Sequence, residues 1–190
     1  MPLRLYEYLY HITHVDNLRN ISIYGLLSKS QMIDIDLSMI DISDPEVQQW
    51  RDRIEPVFGQ PIHEYVPLYF NPTNPMLYRR RELRGDLVIL AIPLARAMDC
   101  VYIFTDGNAA SRDTQFGLDL MTTQMSDDVL RAKYWNDFPD GKRRRCAEML
   151  VHHHIAHGHI EHVYCYSNKA HDATQVSIGC GAIIDRSMFF

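Results

Sequence analysis

The sequence predicts an α+β fold, with helices flanking a mixed or antiparallel sheet, and three observations carry that expectation. Helical signals concentrate early in the chain and extended apolar segments late. The two do not alternate regularly, as repeated β-α-β units would. The length of 190 residues suits a single domain over residues 1–190, and 11 Tyr, 7 Phe and 2 Trp can fill a core without metal or disulfide staples.

The elements follow in order. Tyr6 to Thr13 is rich in aromatic and β-branched residues and predicts a strand. Val15, Leu18, Ile21 and Tyr24 then recur at helical spacing, with Gly25 as the stop. Ser43-Asp44-Pro45-Glu46 combines a cap residue, proline at the first helical position and an acid in the first turn, and predicts a helix over Val47 to Ile54. Tyr65 to Phe70, Leu87 to Ile92, Val101 to Phe104, Ala147 to Val151 and His162 to Tyr166 are further strands. Pro67 places the first of these at an edge or a bend. Ser126-Asp127-Asp128 opens a helix running to about Tyr134, and Thr105 to Ser126, with little periodicity, reads as loop.

Composition excludes several classes. No apolar run approaches the roughly 18 residues of a membrane-spanning helix, and the first residues lack the apolar core of a secretory signal, so a soluble, cytoplasmic protein is expected. Cys100, Cys146, Cys165 and Cys180 have no C-x-x-C spacing and read as small buried hydrophobes. The net charge of −5 argues against a general polyanion binder. Its layout is uneven, because Arg79-Arg80-Arg81 with Arg84, and Lys142-Arg143-Arg144-Arg145, gather eight of the nineteen basic residues. Such runs are solvated faces or phosphate grips.

Among motifs, His152-His153-His154 with His157, His159 and His162 suggests a metal site. There is no H-E-x-x-H pattern, and adjacent histidines on a strand point to opposite faces, so no metal is expected. Phosphate-binding glycine loops and the G-x-S-x-G elbow are absent. Polar residues embedded in apolar strands remain: His11, Glu148, Tyr65, Tyr69 and Asn71. Burying them is costly unless they are satisfied or used.

Those residues belong to a longer pattern. Tyr10-His11-Ile12-Thr13 is followed by Asn17-Leu18, Ile21 and Gly25-Leu26, then by Tyr65-Val66-Pro67-Leu68-Tyr69-Phe70 and Asn74-Pro75-Met76-Leu77-Tyr78. Phe104-Thr105-Asp106, Tyr134-Trp135-Asn136 and Arg143-Arg144-Arg145-Cys146-Ala147-Glu148-Met149-Leu150-Val151 complete it. In this order, from about Tyr10 to Ser167, the chain resembles the DarT family, toxin enzymes of DarT/DarG toxin–antitoxin systems that ADP-ribosylate bases in single-stranded DNA.

The resemblance implies an ADP-ribosyltransferase fold, NAD as the consumed substrate, single-stranded DNA as acceptor and a DarG-like macrodomain antitoxin as partner; a monomer that holds no metal is expected. It implies Glu148 as the catalytic carboxylate, stabilising an oxocarbenium-like centre as glycosidase carboxylates do. Arg51 matches the arginine near the reacting centre; its guanidinium cannot serve as a free base, so it steadies an anionic base or the diphosphate. His11, Thr13, Asn17, Gly25, Leu26 and Arg51 are implied in NAD binding, and Tyr65 or Tyr69 would stack on nicotinamide. Trp135, Tyr78, Arg143, Arg144 and Arg145 are implied in DNA binding. Two departures bear on the acceptor: Cys146 stands where relatives often carry glutamine, and Asn108-Ala109 where a histidine is common. Thymine is the favoured base, with guanine the alternative; the rival reading is a nucleic-acid- or nucleotide-binding module of the same fold that has lost turnover, against which Glu148 argues.

Overall fold

The computed structural model describes residues 6–120, 123–178 and 181–190. The strands are β1 (Tyr8–His14), β2 (Leu26–Leu27), β3 (Tyr65–Tyr69), β4 (Leu87–Pro93), β5 (Tyr102–Thr105), β6 (Phe116–Gly117), β7 (Glu148–His152), β8 (His154–Ile155), β9 (His162–Cys165) and β10 (Ala182–Ile184). The helices are α1 (Leu18–Tyr24), α2 (Lys29–Asp34), α3 (Pro45–Trp50), α4 (Pro75–Arg79), α5 (Leu94–Ala97), α6 (Asp127–Arg131), α7 (Gly141–Arg144) and α8 (Asn168–Ser177). Eight strands form one sheet in the order β10-β9-β4-β1-β3-β7-β5-β6, and β2 pairs separately with β8. Every pairing in the large sheet is antiparallel except β9 with β10.

The main core lies on one face, where Leu18 and Ile21 of α1 and Ala170 of α8 meet Val66, Leu90, Met149 and Val163. Smaller clusters form around Ile12, Leu77 and Ile89, and around Ile62, Tyr65 and Leu150. The helical face predicted over 15–24 is buried at Val15, Leu18 and Ile21, whereas Tyr24 is exposed. Gly25 does end α1, with φ +74; a Cβ there would lie 2.3 Å from the Ile155 carbonyl oxygen of β8.

Several expectations are corrected. Pro67 is on neither an edge nor a simple bend: β3 is central, between β1 and β7. Its pairing with β1 is limited to Tyr10 opposite Tyr69, so the missing N–H falls where that ladder has ended. The helix opened by Asp44 stops at Trp50 rather than Ile54, because the buried Glu55 carboxylate gathers the Val57, Phe58 and Gln60 amides into a turn. The helix after Ser126 ends at Arg131 and Ser126 makes no side-chain cap bond. Cys146 and Cys165 are buried and Cys100 is partly so; Cys180 lies outside the described residues.

Candidate functional site

A cleft of about 710 Å³ opens where β1 and β3 part, within the range of small-molecule and cofactor sites. Beyond the Tyr10–Tyr69 pair, the two strands are joined by a side chain: His11 Nδ1 donates to the Pro67 carbonyl at 3.0 Å. That fixes the tautomer and leaves Nε2 as an acceptor. Burial holds the His11 pKa below the ordinary histidine value, the Pro67 carbonyl opposing and the Arg51 charge adding to the shift. The imidazole is therefore neutral at pH 7.

His11, Thr13, Asn17, Leu26, Arg51, Tyr65 and Tyr69 all line this cleft, so seven residues implied in NAD binding are brought to one cavity. Gly25 is not among them; it sets the turn that delivers Leu26. Asn17 acts as a brace. Its Nδ2 donates to Thr13 Oγ1 at 3.0 Å and to the Ile40 carbonyl at 2.9 Å, while its Oδ1 accepts from Ile40 N at 2.8 Å. The segment between α2 and α3 is thereby pinned over the cleft. Arg79, from the first arginine cluster, also lines it, as does Lys29, which no motif in the sequence singled out.

Glu148 opens β7 directly opposite Tyr69 of β3 and is fully buried. Arg51 follows the last turn of α3, and its Nη2 reaches Glu148 Oε1 at 2.7 Å and Oε2 at 2.5 Å. The Ala109 amide donates to the same Oε1 at 3.1 Å, and Thr105 Oγ1 accepts from the Glu148 amide at 3.0 Å. Burial works against the Arg51 charge, but the adjacent carboxylate outweighs it and raises the pKa, so the guanidinium stays charged. Arg51 stands between Glu148 and the cavity: the glutamate is not part of the lining, whereas Arg51 and Cys146 are. Burial and the nearby Glu148 push the Cys146 thiol up to about 12, so it is a neutral wall group rather than a nucleophile. Burial and Glu148 likewise raise the Tyr69 phenol. Tyr65 donates its hydroxyl to Glu55 at 2.9 Å and presents only its ring.

The arginine run divides. Arg145 is buried, donating from Nη1 to the Val129, Leu130 and Ala132 carbonyls and from Nε to Thr73 O, and so closes the end of α6. This corrects the expectation of a surface cation, since its donors are spent inside the fold. Arg143 binds both oxygens of Asp106, at 2.7 and 2.9 Å, and also Asp140. Arg144 is partly exposed. Trp135 and Tyr78 lie outside the cleft lining and meet each other edge to face, centroids 6.2 Å apart.

One sequence argument fails on geometry. β7 ends at His152, and His153 adopts φ +61, so the two adjacent imidazoles stack at 3.7 Å instead of diverging. Glu64 Oε2 is 3.3 Å from His153 Nε2. The three side chains come together outside the cleft lining.

Comparison with known proteins places these features in context. The family model described as "DarT: ssDNA thymidine ADP-ribosyltransferase, DarT" matches residues 10–186, extending past the stretch that the motifs alone cover. A DNA ADP-ribosyl transferase of Thermus sp. (strain 2.9) is 30% identical over 174 residues, covering 85% of this chain and 82% of that protein. The structure of Thermosipho africanus DarTG in complex with ADP-ribose superimposes with a TM-score of 0.86 at 26% identity, over 97% of this chain and 51% of the other. This chain thus spans about half of that longer protein. Thermus sp. 2.9 DarT in complex with ADP-ribosylated single-stranded DNA gives a TM-score of 0.83 at 24% identity, over 97% and 96% of the two chains.

Proposed function

This chain belongs to the DarT family of NAD-dependent DNA ADP-ribosyltransferases, and from that membership we propose that it moves ADP-ribose from NAD to thymidine in single-stranded DNA and acts as a toxin. The observation that carries the reading is the buried Arg51–Glu148 pair at the wall of a cleft large enough for a dinucleotide.

The chemistry follows from the arrangement. NAD lies across the parted strands, with Nε2 of His11 accepting a ribose hydroxyl and the Tyr69 ring, opposite Glu148, against nicotinamide. Lys29 and Arg79 supply positive charge for the diphosphate. The ribose C1′–nitrogen bond breaks, its electron pair leaves with nicotinamide, and the pyridinium becomes neutral. Positive charge develops at C1′. Glu148 is the fixed anion that steadies it, accepting from the ribose 2′-hydroxyl while the Ala109 amide holds Oε1 in place. For this, Arg51 must release at least one carboxylate oxygen. Its guanidinium then faces the acceptor, where it steadies the anion that thymine becomes when N3 gives its proton to solvent water, after which the N3 electron pair forms the bond to C1′.

Single strands are favoured because N3 of thymine is paired in a duplex, and flipping the base costs a few kcal/mol. DNA contacts are assigned to Trp135, Tyr78 and Arg144, with Arg143 holding the loop through Asp106 and Arg145 bracing it from within. A DarG-like macrodomain antitoxin is the proposed partner, consistent with the double-length Thermosipho chain. No helix among the described residues is long and apolar enough to cross a membrane, which accords with action on cytoplasmic DNA.

The test uses oligonucleotides carrying a single thymidine or a single guanosine in an otherwise inert context, incubated with NAD and read by mass spectrometry, beside duplex DNA, RNA and protein. ADP-ribose on single-stranded thymidine alone is expected. Modification of guanosine alone overturns the base, and modification of protein or RNA alone overturns the acceptor class.

A further inference from the structure

We propose that a stripe of alternating aromatic rings and guanidinium groups, running from Trp135 to Arg186 outside the cleft, binds the single-stranded DNA that flanks the acceptor base. The proposal rests on the DNA reading above and adds a surface built largely by the C-terminal segment.

The stripe begins at the cleft rim. Pro75, Met76 and Arg79 of α4 line the cleft, whereas Tyr78 of the same helix does not and is 44% exposed. Its ring meets Phe190 edge to face at 5.2 Å, and Trp135 meets Phe190 at 5.8 Å, so the three rings form one cluster. The Arg81 guanidinium lies 4.5 Å from the Tyr78 centroid. Farther along, Arg84 donates to the main-chain oxygen of Phe190 at 2.6 Å and stands 4.7 Å from the Tyr166 ring, on which Arg186 also stands, at 5.6 Å. Phe189 packs edge to face against Tyr166 at 5.9 Å and is buried.

Aromatic faces take unpaired bases without regard to sequence, and arginines between them take phosphates. Arg81 is paired with the exposed Glu82 at 3.6 Å, whereas Arg84 and Arg186 donate only to main-chain oxygens, of Phe190 and Tyr166, and have no side-chain carboxylate partner among the described residues. A chain with net charge −5 that binds a polyanion must concentrate its cations in this way. β10 brings the segment here by adding in parallel to the sheet edge at β9, after which residues 186–188 turn the tail back toward α4.

The experiment compares a 20-nucleotide strand with one central thymidine and a 5-nucleotide strand centred on the same base, using wild type, Phe190→Ala and the exposed single change Arg186→Glu. Binding is read by fluorescence anisotropy across a salt series, and transfer by mass spectrometry. Both variants are expected to lose tenfold or more in affinity for the long strand, with a shallower dependence of log affinity on log salt in Arg186→Glu. Transfer to the short strand should stay within twofold. Unchanged long-strand affinity in Arg186→Glu, or equal losses on both strands, overturns the stripe while leaving the transferase reading intact. Failure of the wild type to modify either strand overturns the DNA reading itself, and the stripe with it.

Discussion

Arg51 and Glu148, 97 residues apart in sequence, share a charge-assisted contact in which a single guanidinium nitrogen reaches both carboxylate oxygens. The residue assigned to the reacting sugar and the residue assigned to the acceptor base therefore begin the cycle bound to each other. In the proposed cycle each must be freed for its task.

Glu148→Gln keeps the shape of the side chain and removes its charge. Single-turnover transfer should fall about 10²-fold or more, while NAD affinity changes only a few-fold, because the charge matters most as C1′ becomes cationic. Thermal unfolding run alongside controls for the broken ion pair. Undiminished transfer would remove Glu148 from the chemistry.

Arg51→Lys retains a cation but loses the planar fork. Transfer to DNA should drop more than the slow hydrolysis of NAD to water, since only the former needs the base anion steadied. The ratio of the two rates, measured on the same preparation, decides; equal losses would confine Arg51 to binding NAD.

Arg145→Ala should destabilise the fold by about 3 kcal/mol, because four main-chain carbonyl bonds lose their buried donor. Arg144→Ala should leave stability unchanged within about 0.5 kcal/mol and weaken single-strand binding with a smaller salt slope. Urea unfolding and a salt titration of DNA affinity separate the two. A stable Arg145→Ala protein with weakened DNA binding would restore Arg145 to the DNA contacts.

His11 carries a pH dependence of known sign. Its folded pKa is lowered by burial below the value in the unfolded chain, so its contribution to stability is complete above about pH 6.5 and is lost as pH falls through the folded pKa. The unfolded chain takes up the proton first. Denaturation at pH 7.5 and 5.5 should show a smaller drop for His11→Gln than for wild type, and an identical drop would mean that His11 is not the titrating group.

The sequence by itself determined the α+β class, the strands at 65, 87, 102, 148 and 162 to within a residue or two, and the turn at Gly25, because alternation, β-branching and glycine's access to positive φ are local properties. The family resemblance also implied His11, Thr13, Asn17, Leu26, Arg51, Tyr65 and Tyr69 together in NAD binding, and these residues do share one cleft. Only the tertiary structure decided what each side chain is free to do. Three consecutive arginines read alike in sequence, yet one caps α6 from inside, one is latched to Asp106 and one remains at the surface, because which neighbour lies within hydrogen-bond reach is set by distant segments. Adjacent histidines stack for the same reason, the strand ending between them. Phe190, in a tail without recognisable pattern, joins Tyr78 and Trp135 only through the addition of β10 at the sheet edge. Local propensity can specify an element, but the partner of a charge or a ring is a property of the packed chain.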